Sequence, residues 1–306
     1  MQGSPPPAPT RLPARGLGAW LEIVRPFSFT ASVIPVLVGL AAVLGHGGTR
    51  IATLPLVLLG AVAMQAGTNI INEYYDVLSG VDRPESPRAS RVLVEGRLDA
   101  DRARRAAFGC FALALLVAAV VASRAGWPVL ALTLVGCASG YAYTAPPVQF
   151  KYRGLGAVAV FWLMGPLMVA GAAYALSGHW SPSAWWASVP VGCLVAAILL
   201  ANEIRDDQDD AASGIVTLPH LVGQRRARRI FAALLGVAFA WPLLGILAGG
   251  LPLGALLPWL TAPTAWTLVR TALHARAGEL ATSDQATARL HLLYGLLLAL
   301  GMAVAA

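Results

Sequence analysis

The sequence predicts an all-α integral membrane protein: a bundle of nine transmembrane helices with the N-terminus cytoplasmic and the C-terminus outside. Three observations carry this expectation. Of 306 residues, 57% are hydrophobic and 12% charged, with a mean hydropathy of +0.67, whereas a soluble domain carries about 25% charge. Apolar runs of about seventeen or more residues, each able to cross roughly 30 Å of hydrocarbon, recur along the chain. The basic residues are also distributed on one side. Segments 1–26, 72–105, 144–154, 205–229 and 270–289 hold 20 of the 22 Lys and Arg, leaving Arg50 and Arg124 opposite. By the positive-inside rule those segments are cytoplasmic, and adding or dropping one span would scatter the charge. The +7 net charge therefore reads as topology and attraction to anionic headgroups, not nucleic-acid binding.

Residues 1–18 read as a Pro-rich, basic, disordered leader with no secretory signal. Residues 19–306 read as one transmembrane domain of two related halves, about 19–150 and 151–306. The first span (27–45) opens with Arg25-Pro26-Phe-Ser28; Pro26 suits a first helical turn, and Arg25 is either a snorkelling anchor or a contact to an anionic substrate. The second (51–71) runs into Asn69-Ile-Ile-Asn72-Glu73-Tyr-Tyr-Asp76, whose polar residues stand at i, i+3, i+4 and i+7 on one helical face. Ser79-Gly80 then ends the helix and turns Asp82 back toward that face. In the loop that follows, Arg88 and Arg91 are placed to fold over the motif and grip phosphate oxygens.

Spans three (106–123) and four (127–143) follow, the latter ending at Tyr141-Ala-Tyr143. The next loop carries Lys151, the chain's only lysine, with Tyr152 and Arg153, a basic pair suited to clamp a diphosphate. Gly154-Leu-Gly156 reads as the start of span five (155–176), since no strand precedes it and a third glycine is missing. Span six (185–204) ends in Asn202-Glu203-Ile-Arg205-Asp206-Asp207-Gln-Asp209-Asp210, again a polar stripe on an apolar helix, followed by Gly214 and four arginines. Spans seven to nine (230–248, 251–269, 289–306) read as scaffold. Trp127, Trp180, Trp185 and Trp186 fall where outer interfacial anchors belong. Three unpaired cysteines and five scattered histidines imply no disulfide, zinc or other metal site.

The two acidic runs hold eight of fifteen carboxylates, a concentration that calls for a cation at the membrane surface. Magnesium takes oxygen ligands and is often bound by one or two carboxylates plus substrate phosphates. Asn72, Asp76, Asn202, Asp206 and Asp210 are the candidate ligands. Arg25, Arg88, Arg91, Lys151, Arg153 and Arg205 are the candidate substrate contacts. A diphosphate with a long hydrocarbon tail, a polyprenyl diphosphate, suits both the polar ends and the apolar bundle. Asp76, Asp82, Asp206, Asp210 and Tyr143 are the candidate catalytic residues. Tyr74, Tyr75, Tyr141 and Tyr143 could shelter an allylic cation, and Asp82 or Glu73 could accept a proton.

Asn72-x3-Asp76-x5-Asp82 with Asp206-x3-Asp210 resembles the paired motifs of the UbiA-type intramembrane aromatic prenyltransferases, over nearly the whole chain. Asn72-Glu-Tyr-Tyr-Asp76-x3-Gly80-Val-Asp82, Ser90-Arg-Val-Leu-Val-Glu-Gly96, Tyr152-Arg-Gly-Leu-Gly156 and Arg205-Asp206-x3-Asp210-x3-Gly214-x2-Thr217-Leu218 are similar to 1,4-dihydroxy-2-naphthoate polyprenyltransferases of menaquinone synthesis. The resemblance implies nine spans with both motifs on the cytoplasmic side of a bacterial-type membrane. It also implies magnesium-dependent transfer of a polyprenyl chain to the naphthoate ring with decarboxylation, giving demethylmenaquinol. Glu73 and Glu203 depart from it, standing where Asp and Asn are expected. Other acceptors (4-hydroxybenzoate, homogentisate, a lipid alcohol) remain in the same class. Outside it stand a cation-coupled transporter, which would bind cargo nearer mid-membrane, and acids that merely solvate loops. Oligomeric state is left open.

Overall fold

The computed structural model describes residues 16–45, 47–82, 91–274, 280 and 282–305, without the side chains of Arg91, Gln208 and Asp209. Most of the predicted leader, Arg88 and the Arg91 side chain lie outside the described residues. The helices run α1 (Leu17–Val24), α2 (Thr30–Ala41), α3 (Leu54–Leu78), α4 (Arg91–Val94), α5 (Ala100–Ala125), α6 (Pro128–Ala142), α7 (Gly156–Trp162) and α8 (Met168–Ser177). They continue with α9 (Pro182–Ala212), α10 (Leu218–Val222), α11 (Gln224–Leu247), α12 (Ala262–His274) and α13 (Ser283–Val304).

Among the described residues, six helices are long and apolar enough to cross a membrane, or seven if the bent pair Leu17–Val24 and Pro26–Ala41 counts as one crossing. The other predicted spans are helical but interrupted or short. Helix α6 has 15 residues, and the stretch before α12 is a 3-10 helix, Leu253–Thr261, with Pro258 inside it. Proline explains that break, since it has no N–H to donate. The α7–α8 span survives Pro166 by a π-helical turn, Leu163–Leu167, which shifts the hydrogen bonds by one residue.

Helix α9 is the axis. It packs against α7, α11 and α13 and also touches α2 and α8, which is why it is apolar all round before Asn202. Gly165 and Gly192 let the π turn approach α9 so closely that a Cβ at Gly165 would lie 2.6 Å from the Gly192 Cα. A second cluster joins α1, α3, α4 and α5 around Ile23, Ile70, Ile71 and Phe111. Trp127, Trp180 and Trp185 are exposed, while Trp186 is half-buried. It stacks on Trp241 at 5.3 Å and fills the space beside Gly250, because α9 leaves little of its circumference uncovered. The three cysteines are free thiols.

Candidate active site

The end of α3 spreads its polar stripe over partners from several segments. Asn69 Nδ2 donates to Val24 O at 2.7 Å and to Ser28 Oγ at 2.8 Å, tying α3 to the bent entry of the chain. Asn72 Oδ1 accepts from Thr144 Oγ1 at 3.1 Å. Glu73 is fully buried, and its Oε1 accepts the Leu93 backbone N–H at 3.2 Å. Asp76 receives Lys151 Nζ on both oxygens (2.8 and 2.7 Å) and the Tyr152 hydroxyl on Oδ1 at 2.6 Å.

Gly80 has φ +71°, the left-handed conformation that costs glycine least. The turn it makes brings the Val81 and Asp82 N–H groups onto Asp76 O at 2.9 and 3.0 Å. Asp82 thereby returns to the Asp76 side, as the glycine turn after Ser79 predicts. Burial, then the charge of Asp76, push the Asp82 carboxyl up to about 6, while Lys151 and Arg25 pull it down. Burial and Asp76 likewise push the Tyr152 phenol up, so Tyr152 stays a donor.

At the end of α9 the arrangement is more local. Arg205 donates through Nε and Nη2 to both Asp206 oxygens at 2.8 and 2.6 Å, and through Nη2 to Asn202 Oδ1. Its Nη1 meets Asp284 of α13 at 2.6 Å. Glu203 Oε2 accepts the Leu218 N–H at 3.3 Å. The helix then closes with Ser213 and Ile215 N–H on Asp210 O and Gly214 at φ +73°.

Residues 143–156 bridge the two ends. Thr144 reaches Asn72, and Lys151 and Tyr152 reach Asp76. On the other side Arg153 forms a parallel β-bridge with Val216. A Cβ on Gly156 would lie 3.2 Å from Tyr143 Oη and 3.4 Å from Glu203 Oε1, which puts the Tyr143 phenol beside the α9 motif. The Arg153 guanidinium is turned away, exposed and donating to Pro147 O at 2.7 Å.

From Asn72 and Tyr143 a cavity of about 310 Å³ runs between α3, α5, α6 and the α7–α8 span to Leu56, Val121 and Val129. Asn72 to Leu56 along α3 is a rise of about 24 Å. The walls are mainly aliphatic, with Met64, Met164 and Met168 among them and Gln65, Thr68 and Ser139 as scattered polar groups. Of the four tyrosines expected near a cation, Tyr143 alone lines this cavity. Tyr75 instead bonds Tyr141 hydroxyl to hydroxyl at 2.8 Å and packs edge-on to Tyr74; this group faces α5, because their positions on α3 and α6 turn that way.

The donor set fits magnesium in kind: Asn72, Asp76, Asp82, Asn202, Asp206 and Asp210 offer oxygen only. Among the described residues no three acidic, His or Cys side chains already form a cage. Sequence reading missed Thr144, Glu203 and Asp284 as partners in the site. An acidic residue in a helix's first turn was the one available signal for Asp284, and it is shared with many helices.

Residues 32–304 match the UbiA prenyltransferase family. The chain is 29% identical over 239 residues to the 1,4-dihydroxy-2-naphthoate octaprenyltransferase of Bacillus subtilis, covering 78% of this chain and 75% of that one. It is 32% identical over 286 residues to UbiA prenyltransferase domain-containing protein 1 of Xenopus tropicalis, covering 92% and 81%. Its fold is similar to the apo structure of a UbiA homolog from Aeropyrum pernix, with TM-score 0.69, 21% identity, and 90% and 97% of the chains covered. It is also similar to a UbiA homolog from Archaeoglobus fulgidus bound to GPP and Mg2+, with TM-score 0.61, 18% identity, and 92% and 99% covered. The chain belongs to the UbiA prenyltransferase family; it is an integral membrane prenyltransferase.

Proposed function

We propose that this prenyltransferase transfers a polyprenyl chain from polyprenyl diphosphate to 1,4-dihydroxy-2-naphthoate, with loss of the ring carboxyl as carbon dioxide, giving demethylmenaquinol. The observation that carries the reading is the position of the Lys151–Tyr152–Asp76 cluster at the Asn72 and Tyr143 end of a long aliphatic cavity. A diphosphate head belongs at the first and a hydrocarbon tail in the second. The naphthoate relative at 29% identity supports the acceptor.

Magnesium, held by Asn72, Asp76, Asn202, Asp206 and Asp210, would supply positive charge to the diphosphate as its bond to the prenyl carbon breaks. Lys151 adds an ammonium beside Asp76, and Tyr152 a phenolic donor; both would meet the negative charge that grows on the leaving oxygen. Arg25, Arg88, Arg91 and Arg205 are the proposed diphosphate contacts, Arg205 after exchanging a carboxylate partner for phosphate oxygen; Arg153, whose guanidinium is exposed on Pro147 O, is left out of that set. Tyr143 faces the reacting carbon and, with the aliphatic walls, keeps water from capturing it. The ring carbon of the acceptor then forms the new carbon–carbon bond, with Asp82 available to hold a proton.

The same reading places nine crossings in the membrane, counting the bent, short and interrupted segments. The N-terminus and both acidic ends are cytoplasmic and the C-terminus is outside, in a bacterial-type membrane. The halves 19–150 and 151–306 are related, each closing a long helix with Asn-Glu, an aspartate and a positive-φ glycine. Mass analysis of products from membranes given a prenyl diphosphate and candidate acceptors tests this directly. Prenylated, decarboxylated naphthoate is expected, and prenylation of 4-hydroxybenzoate alone would overturn the acceptor.

A further inference from the structure

Lys151 is 75 residues away in sequence from the aspartate it holds, and the loop that carries it is short. Three contacts bear on where it is seated. The Lys151 N–H donates to Tyr143 O at 2.9 Å. Arg153 bridges Val216. Gly154, at φ +69°, lies against the next segment so closely that a Cβ would collide with Leu221 and stand 3.5 Å from the Thr217 carbonyl carbon. The loop is therefore seated on residues 216–221 along one side and holds Asp76 with the other.

Residues 216–221 have their own anchor. Leu218 is the first residue of α10, and a first-turn N–H has no partner within its helix. Glu203 supplies one from α9: its carboxylate, 6% exposed, accepts that N–H at 3.3 Å. The other oxygen, Oε1, borders Gly156, where the loop re-enters a helix. One buried carboxylate thus touches both segments on which the lysine loop depends.

We propose that Glu203 is a positioning residue for diphosphate binding: through Leu218 and the Arg153–Val216 bridge it sets where Lys151 and Tyr152 stand relative to Asp76. It couples the α9 end to the α3 end without touching substrate. This inference rests on the functional reading above for what Lys151 binds. The coupling itself does not.

The test is a double-mutant cycle on the full-length enzyme in detergent or liposomes, with geranylgeranyl diphosphate as the varied substrate. Glu203→Ala is expected to raise the KM for the diphosphate about tenfold, the worth of one lost hydrogen bond to a buried acceptor, with kcat changed less than about twofold. Glu203→Gln keeps an acceptor and should stay within about twofold of the parent. In a Lys151→Met background Glu203→Ala should add clearly less than its tenfold alone, because the share that travels through the lysine is gone and only the Tyr152 share is left. Gly154→Ala, which strikes the same seat from the loop side, should raise KM in the same direction even if Glu203→Ala does not fold. Backbone amide exchange at Leu218 and Lys151 should quicken together in Glu203→Ala or Gly154→Ala.

Equal losses in kcat and kcat/KM, or full additivity with Lys151→Met, would overturn the proposal. So would unchanged exchange at Lys151 while Leu218 opens. If the parent enzyme transfers no prenyl group to any acceptor, the functional reading fails, and amide exchange still decides the coupling.

Discussion

The ends of α3 and α9 carry similar sequences and solve the same electrostatic problem differently. Each has Asn-Glu followed three residues after the Glu by an aspartate, and each glutamate reaches forward to a backbone N–H, at Leu93 or Leu218. Each ends in a glycine of positive φ. The aspartates differ. Asp76 is neutralised from afar, by Lys151 and Tyr152 of a loop beyond three further helices. Asp206 is neutralised by its own neighbour, Arg205, which Asp284 then steadies from α13. An ion pair made within one helix exists as soon as the helix does. One made across the fold exists only when the loop is seated, so the α3 end is the half of the site that the tertiary structure can misplace.

The sharpest way to break this comparison is to remove the aspartates in turn. Asp76→Ala should lower transfer by about a thousandfold or more, since it removes a proposed metal donor and leaves Lys151 without its carboxylate partner. Asp206→Ala should cost less, about a hundredfold, because Arg205 keeps Asp284. Radiolabelled prenyl transfer measures both, and a reversed order would mean that the α9 end dominates. Next is Lys151→Met, expected to raise the diphosphate KM by about thirtyfold, within the range of a charge-assisted hydrogen bond. The equivalent Arg205→Met should be milder if the remote pairing is the more important one.

Asp284→Asn tests the outer lock. The Arg205 and Asp284 side chains are 11% and 21% exposed, so breaking the pair should cost about 1–3 kcal/mol, less than a fully buried pair. Thermal unfolding in detergent reads that loss, and the diphosphate KM should move little. The smallest effect is expected for Gly80→Ala. No atom lies within 4 Å of a Cβ there, so the cost is about 1 kcal/mol of left-handed backbone strain. Activity should fall a few-fold as Asp82 drifts from Asp76, and the α9 counterpart Gly214→Ala should act similarly on Asp210.

The sequence by itself determined the class of molecule, because hydropathy is a property of composition along the chain and needs no contacts. It determined the acidic stripes and the Gly80 turn for the same reason: helical spacing and a positive-φ glycine are local geometry. It also marked Lys151, which stands alone among 21 arginines, without saying what it meets. Only the tertiary structure decided that Lys151 and Tyr152 close on Asp76, that Glu203 faces a loop, that Asp284 steadies Arg205, and that Tyr143 lines the cavity while Tyr74, Tyr75 and Tyr141 pack together. Each of these joins residues on separate elements, and a helix's own periodicity fixes which residues share a face, not which neighbour that face will meet.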